Sequence, residues 1–432
     1  MKSERFAGLE KNTAEEQTEP NIERDKETIL KGKIERANDY YGSIISSGME
    51  MNLESPEIKS KLLDIYSEEE LGRALKAGES VSAEWADKPD IYSDFLEKMF
   101  VAEGEINDLF GVGTRAIRTG KPDDYFRGID LVLEFPPNEK GEVTRLCADV
   151  TVAESDEVIH RKTKHLESLL RKREGSMVKY FISPTENEAM VLTNVPQVII
   201  NIPRAEIIHL MTRSAMDLSY PPVPDFESMS GRVSAEEIKA RRVVYQNNRF
   251  NADERRRKIL SDRPLIGRVL ESVAFQLFYE ADYLMRREKS TFDRTDYSSE
   301  TFNLLAKARD AMPVDPISAS VGELKEFFET VSALLPALSD EGKNPKFSSF
   351  MREITSAYEA VTEAIDSKKP ATDDKSVAGV DEDALDALPE GSMTAKLLLS
   401  LRSALRSPLS DSSDYRPDPK AKNVDLLAEE AN

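Results

Sequence analysis

Apolar and polar residues repeat with two different periods in the middle of the chain. From 129 to 135 and from 145 to 152 they follow the pattern of two β-strands. Turn-forming Pro, Asn and Gly residues separate these two runs, so we expect an antiparallel hairpin. Between 91 and 110 the spacing is three or four positions, which predicts an amphipathic helix with the apolar residues Phe95, Met99, Ile106 and Phe110.

A second helix and two more strands follow the hairpin. Ser155 is a good N-cap residue, and the stretch after it has acidic residues in its first turn and basic residues in its last. The runs 178–183 and 195–202 have the composition of buried strands, whereas 111–128 is rich in Gly, Pro and Asp and is expected to be a loop. The order helix, hairpin, helix, strand, strand predicts an α/β domain over 85–215.

The flanking segments have helical or disordered patterns, so the fold class expected is mixed α+β. Residues 29–84 are expected to form a helical segment and 232–365 a helical domain. The acidic termini 1–28 and 366–432 have little apolar material to bury and are expected to be disordered, apart from a short helix at 396–405. The helices predicted in the C-terminal domain cover 234–260, 264–287, 299–311, 320–338 and 347–365.

Composition and charge exclude several classes of protein. The chain has 432 residues, one cysteine, three histidines and a net charge of −21. A single cysteine excludes a disulfide framework and a cysteine-based metal site, so a metal would be held by carboxylates. The sequence has no long apolar run and a charged N-terminus, which predicts a cytoplasmic protein without a membrane span or secretory signal. Because the net charge repels nucleic acid, contact with phosphates requires a local basic surface.

The hairpin brings two aspartates together. If its turn is centred between Glu139 and Lys140, Asp130 lies opposite Asp149, and both side chains are on the face that is not fully apolar. Their β-carbons would then be about 4.5 to 5.5 Å apart, and the two charges would repel by about 3 kcal/mol. Mg²⁺ between the carboxylates, or a proton on one of them, would relieve this repulsion. A register shifted by one residue would separate the two side chains and leave them as solvent-facing carboxylates.

Two further charged residues lie on apolar helix faces. Glu103 is on the apolar stripe of the first helix, and Lys162 is on that of the helix after Ser155. Each also has an ordinary interpretation. Glu103 would be a partly buried acid paired with Arg115 or Arg127, and Lys162 would cover apolar surface with its stem while its ammonium stays in water.

The runs GIDLVLEF and RLCADVTVA, followed by a capped helix with Lys162, resemble the PD-(D/E)XK nuclease superfamily. The resemblance covers about residues 91–202 and implies a restriction-endonuclease-like domain with a mixed central sheet flanked by helices. It also implies hydrolysis of phosphodiester bonds in DNA or RNA with Mg²⁺ or Mn²⁺. Glu103, Asp130 and Asp149 match the three acidic positions of the family in order and spacing, so the resemblance implies that they are metal ligands.

The sequence departs from the family pattern at Thr151, where the family has a lysine two positions after the second aspartate. In the family this lysine orients the attacking water and offsets charge on the phosphate. Some members take the lysine from the following helix, and Lys162 is the candidate for that role here. The catalytic residues expected are therefore Asp130, Asp149, Thr151 and Lys162, and Asp124 is a further candidate in the loop before the strand.

Two basic stretches contrast with the acidic chain. Residues 161–173 carry a net charge of +5, and residues 239–263 carry +6 with Tyr245 and Phe250 among them. Such stretches either follow a phosphate backbone or form solvated helix faces paired with the acidic tails. The residues expected to contact nucleic acid are Arg161, Lys164, Arg241, Arg242, Arg255, Arg256 and Arg257.

Two functions are consistent with these features. The first is metal-dependent cleavage of nucleic acid by the α/β domain. The second is a catalytically inactive scaffold, in which the nuclease-like fold only binds, and the helical region and the tails contact protein partners.

Overall fold

The computed structural model describes residues 19–45, 48–85, 91–152, 155–207, 263–291, 307–308, 321–340 and 345–367. The helices are α1 (Glu19–Ile44), α2 (Pro56–Leu62), α3 (Glu68–Trp85), α4 (Ile91–Asn107), α5 (Lys121–Arg127), α6 (Asp156–Lys172), α7 (Arg263–Thr291), α8 (Val321–Asp340) and α9 (Pro345–Ser367). The strands are β1 (Arg115–Arg118), β2 (Leu131–Glu134), β3 (Arg145–Thr151), β4 (Ser176–Ile182), β5 (Ala189–Val195) and β6 (Gln197–Asn201). The fold is therefore mixed α+β, as expected.

Four strands form a mixed sheet in the order β1, β2, β3, β6. The first three are antiparallel neighbours, and β6 is parallel to β3. Strands β4 and β5 form a separate antiparallel pair. The predicted hairpin register is confirmed, because Leu131 pairs with Ala148 and Glu134 with Arg145.

Both faces of the four-stranded sheet are covered. Leu133 and Leu146 belong to a core shared with α1, α4, α6 and the C-terminal helices α7, α8 and α9. On the opposite face, Val132 and Cys147 pack in a second core with α2, α3, β4 and β5. The predicted apolar face is thus the side of the larger core, but the other face is also buried. The described helices of the expected 232–365 domain, α7, α8 and α9, share this core with the sheet.

Three short elements differ from the expectations. The segment 111–128, expected to be a loop, contains β1 and α5. Strand β5 lies between the two strands expected at 178–183 and 195–202, in a stretch for which no strand was expected. Helix α1 begins at Glu19, inside the segment 1–28 that was expected to be disordered.

Other expectations fall outside the described residues. These are the tail 1–18, the predicted helix 234–260, most of the predicted helix 299–311, and residues 368–432 with the short helix 396–405. No helix in the described ranges has the length and apolar character needed to cross a bilayer.

Candidate active site

Asp130 and Asp149 meet at one end of the hairpin. Asp130 immediately precedes β2, and its N–H donates to the Ala148 carbonyl at 3.0 Å. Its carboxylate Oδ2 accepts from the Val150 N–H at 2.6 Å. The side chain of Asp130 is thereby fixed beside β3, next to Asp149, and only 9% of Asp130 and 7% of Asp149 are exposed.

Lys162 reaches this pair from α6. The helix begins where Ser155 accepts a hydrogen bond from the Glu157 N–H at 3.2 Å, as the sequence predicts. Its amphipathic face packs Ile159 and Leu166 into the larger core. The ammonium of Lys162 forms an ion pair with Asp149 Oδ1, and its side chain is 20% exposed. The ammonium is therefore held at the acidic pair, which differs from a lysine that only covers apolar surface.

Helix α5 adds a third carboxylate, that of Asp124. It lies close enough to the Asp130 carboxyl to accept a hydrogen bond from it when Asp130 carries a proton. Burial and the nearby Asp149 and Glu97 carboxylates raise the pKa of Asp130 well above its ordinary value. Burial also raises the pKa of Asp124, although a proton shared from the Asp130 carboxyl opposes this effect. The negative charges of these acids repel one another, so a bound cation or a proton on one carboxyl stabilises the cluster.

Helix α5 is short, and contacts outside it hold it in place. Asp123, which is fully buried, accepts from the N–H groups of Lys179 at 3.0 Å and Tyr180 at 2.9 Å on β4. The helix ends at Gly128, whose φ of 62° lies in the left-handed region that suits glycine. The Gly128 carbonyl accepts from Gln197 Nε2 at 2.9 Å. The neighbouring acids therefore divide two tasks, since Asp123 anchors the helix and Asp124 belongs to the cluster.

A glutamate of α4 also belongs to the cluster, but it is Glu97 and not the expected Glu103. Glu97 binds Arg118 at the end of β1, with Nη2 and Oε2 2.8 Å apart. Further along α4, a Cβ at Gly104 would come within 2.9 Å of the Cβ of Ala116, near the other end of β1. Glu103, fully buried beside Gly104, is therefore about 9 Å further along the helix axis, away from the aspartates.

The electrostatics of Glu97 connect it to the other acids. Burial, together with the charges of Asp124 and Asp94, raises the pKa of Glu97 to about 7 against the attraction of Arg118. Arg118 also contacts Asp94 at 3.0 Å and Glu50 at 3.5 Å. The two arginines considered as partners of Glu103 have other partners, because Arg115 pairs with Glu105 and Arg127 with Asp123.

His165 is a further residue at the site that the sequence analysis did not select. It lies one turn after Lys162 on α6 and close to the backbone of Arg127, at the end of α5. Burial lowers its pKa, and the charge of Asp149 opposes that effect. The sequence did not indicate this position, because a spacing of five residues places His160 and His165 on different faces of the helix.

Thr151 and two of the predicted basic residues are near the acidic pair in the chain. Thr151 is buried on β3, two positions after Asp149 and on the same face. Arg161 and Lys164 are exposed on α6, on either side of Lys162 in the sequence. The other predicted contacts with nucleic acid lie outside the described residues: Arg241, Arg242, Arg255, Arg256 and Arg257.

The residue types fit a magnesium site in part. Mg²⁺ prefers oxygen ligands and is often held by one or two carboxylates together with waters, which Asp130 and Asp149 can supply. Within the part of the chain that the structure describes, no group of three or more His, Cys, Asp or Glu side chains has the arrangement of a metal-ion site. The structure thus offers a pair of ligands and not a complete protein cage.

Comparisons of the chain with protein-family models, curated proteins and solved structures gave no match.

Proposed function

We propose that the protein hydrolyses phosphodiester bonds in nucleic acid with the help of Mg²⁺ or Mn²⁺. One observation carries this proposal. Asp130, which immediately precedes β2, lies beside Asp149 of the antiparallel neighbour β3, and the ammonium of Lys162 is bound to Asp149. Two buried carboxylates can hold a divalent cation, and an amine beside them can offset the charge of an anionic substrate.

The order of the elements supports the proposal. Helix α4 precedes three antiparallel strands, helix α6 follows, and β6 adds a strand parallel to β3. This is a mixed sheet flanked by helices, of the kind that the resemblance implies. Thr151 lacks the positive charge of the lysine that the family has at this position. Lys162 supplies a positive charge nearby, because its ammonium pairs with Asp149.

The excess negative charge of the cluster favours a divalent cation. Four carboxylates, those of Glu97, Asp124, Asp130 and Asp149, interact with one another, and the cations near them are Arg118 and Lys162. A bound Mg²⁺ would polarise the phosphate and lower the pKa of a coordinated water.

The side chains of the cluster would have distinct tasks. Asp130 and Asp149 would hold the cation, with Asp124 next to Asp130. The ammonium of Lys162 can donate to an oxygen of the phosphodiester and offset its charge, as charge-assisted hydrogen bonds to phosphate do. Arg161 and Lys164, exposed on the same helix, would contact neighbouring phosphates of the backbone.

A second candidate function is the inactive scaffold. The observation in its favour is that the described residues contain no complete group of metal ligands, while Lys162 already neutralises Asp149. In this case the ion pair only stabilises the hairpin and α6, and the fold binds without cleaving.

Thermal melting with and without MnCl₂ or MgCl₂ tests the metal site. Binding to the native state at about 100 times the dissociation constant stabilises it by about 2.7 kcal/mol, which raises the melting temperature by several degrees. We expect this shift in the parent and its loss in Asp130→Asn and Asp149→Asn. Asp64→Asn, at an exposed aspartate, is the matched control and should keep the shift.

Cleavage of labelled single-stranded and double-stranded DNA and RNA in Mn²⁺ distinguishes the two functions. We expect Lys162→Met to lower the rate about 100-fold or more, since it removes a group that stabilises developing charge. Lys140→Met, in the exposed hairpin turn, should leave the rate unchanged. A metal-induced shift without cleavage in the parent would favour the scaffold, and the absence of both would exclude the metal site.

A further inference from the structure

Asn201, the last residue of β6, has an unusual environment for an amide. It is 7% exposed, and neither Oδ1 nor Nδ2 has a hydrogen-bond partner in the described part of the chain. Buried polar atoms in native proteins are nearly always paired, because an unpaired one loses its bonds to water without compensation. A buried side chain with both polar atoms unpaired is therefore a candidate for contact with a ligand.

The neighbouring amides show that this environment is specific to Asn201. On the same strand, Gln197 donates to the Gly128 carbonyl at 2.9 Å and accepts from the Ser176 hydroxyl. On α7, Gln276 accepts from the N–H of Ile199 and donates to its carbonyl, both at 2.8 Å. Each of these amides uses both of its polar atoms inside the protein, whereas Asn201 uses neither.

The sheet places Asn201 beside the acidic pair. In the parallel ladder of β3 and β6, Asp149 pairs with Ile199 and Thr151 with Asn201. Paired residues of neighbouring strands project from the same face, so Asn201 stands beside Thr151 on the face that carries Asp149. Both residues are at the carboxyl ends of parallel strands, which is where ligands bind in open α/β sheets.

A small cavity lies next to this position, between β6 and α7. Its volume is about 20 Å³, and it is lined by residues 199–202 of the chain together with Glu206, Arg268, Val269 and Ser272. A cavity of this size holds one or two waters. Asn201 is therefore next to a space that admits water, at the end of the strand and beside Thr151.

We propose that Asn201 is a further substrate-contacting residue of the site, a proposal that rests on the function proposed above. Its Nδ2 donates to a non-bridging oxygen of the phosphodiester, and its Oδ1 accepts from a water beside Thr151. An amide suits this place among carboxylates. A second amine would pair with an acid, as Lys162 does with Asp149, whereas a neutral amide keeps its donor available for the anionic substrate.

The test compares Asn201→Leu, which has a similar shape and no polar atoms, with Asn201→Thr, which suits a strand end and keeps one donor. Ser348→Ala is the matched control, since Ser348 on α9 is also buried with an unpaired hydroxyl. Three quantities are measured for each variant. They are the Mn²⁺-induced shift in melting temperature, the affinity for labelled DNA and RNA oligonucleotides in Ca²⁺, and the cleavage rate in Mn²⁺.

We expect Asn201→Leu to keep the Mn²⁺-induced shift and to melt no lower than the parent. Its affinity and cleavage rate should fall about 10- to 100-fold, as the loss of one hydrogen bond to a charged group implies. Asn201→Thr should lose less, and Ser348→Ala should behave as the parent.

The outcomes separate this proposal from the proposed function. If the parent binds Mn²⁺ and cleaves, but Asn201→Leu binds and cleaves within twofold of it, Asn201 has no role and the site remains. If Asn201→Leu folds poorly, the Asn201→Thr variant is used instead. The proposal is overturned if Asn201→Thr and the control Ser348→Ala both bind and cleave the oligonucleotides as well as the parent does. A parent with neither the shift nor cleavage overturns both proposals.

Discussion

Glu280 gives a prediction about stability that can be worked out in detail. This residue of α7 is fully buried, and both carboxyl oxygens are without a hydrogen-bond partner in the described part of the chain. Burial raises its pKa well above the ordinary value of 4.5. Met has nearly the same volume and no group that needs a partner, so we expect Glu280→Met to stabilise the protein.

The size of the effect depends on pH. At low pH the carboxyl is protonated in both the folded and unfolded states, and removing its unpaired atoms gains roughly 1 to 3 kcal/mol. As pH rises above 4.5, the unfolded chain releases the proton that the folded protein retains. The parent then loses about 1.4 kcal/mol for each pH unit, until pH passes the raised pKa of the folded state. The advantage of Glu280→Met therefore grows from pH 5 to pH 7.

Urea denaturation at several pH values between 5 and 7, followed by far-UV circular dichroism, measures this difference. Glu363→Met, at an exposed glutamate of α9, is the matched control and should follow the parent at every pH. A Glu280→Met variant that is less stable than the parent at pH 7 would refute the reasoning. An advantage that stays constant with pH would show that Glu280 is ionised in the folded protein.

Two other substitutions test how the site is held in place. Asp123→Ala should cost about 3 to 5 kcal/mol in urea denaturation, because it leaves Arg127 and two N–H groups of β4 without their acceptor. A loss below about 1 kcal/mol would contradict this anchoring role. Gly175→Ala should cost at least about 1 to 3 kcal/mol, because its Cβ would come within 2.4 Å of the backbone carbon of Asn194. The loss should appear as a lower melting temperature, and a variant that melts with the parent would contradict it.

The hairpin and its aspartates were predictable because several local signals agree. The turn residues define the centre of the hairpin, and the apolar residues of each strand show which of its faces is directed toward the core. Together they predict the pairing of Leu131 with Ala148. The cap at Ser155 likewise defines the start of α6, and therefore the position of Lys162 along the helix. In each case the signal lies within a few residues of the feature that it determines.

The choice of the α4 glutamate could not be made in the same way. Phe95, Leu96, Met99 and Phe100 are all buried, and so are both Glu97 and Glu103. A helix buried on most of its sides has no distinct apolar stripe, so periodicity does not identify the side that faces the site. The glutamate of the site is the one that lies beside Arg118, at the end of β1 nearest the aspartates. Strand β1 itself was expected to be part of a loop.

The short elements β1 and α5 were missed for a related reason. Strand β1 has only four residues, with arginines at both ends, and its charges are satisfied by Glu105 and Glu97 from another element. Helix α5 has seven residues, too few for a helical period to appear. Their conformations depend on tertiary partners such as the β4 N–H groups that bind Asp123, and these partners are distant in the sequence.

The shared core of the sheet and the C-terminal helices has a consequence for synthesis on the ribosome. The last strand of the sheet, β6, ends at Asn201. Gln276, whose side chain bonds to the backbone of Ile199 at the outer edge of this strand, is synthesised later, and the last described helix, α9, ends at Ser367. At usual translation rates the interval between these points lasts roughly 10 to 30 seconds. During that time the nascent sheet has an open strand edge and an uncovered apolar face, both of which promote aggregation. The emerging chain should therefore depend on chaperones until its last helices can dock.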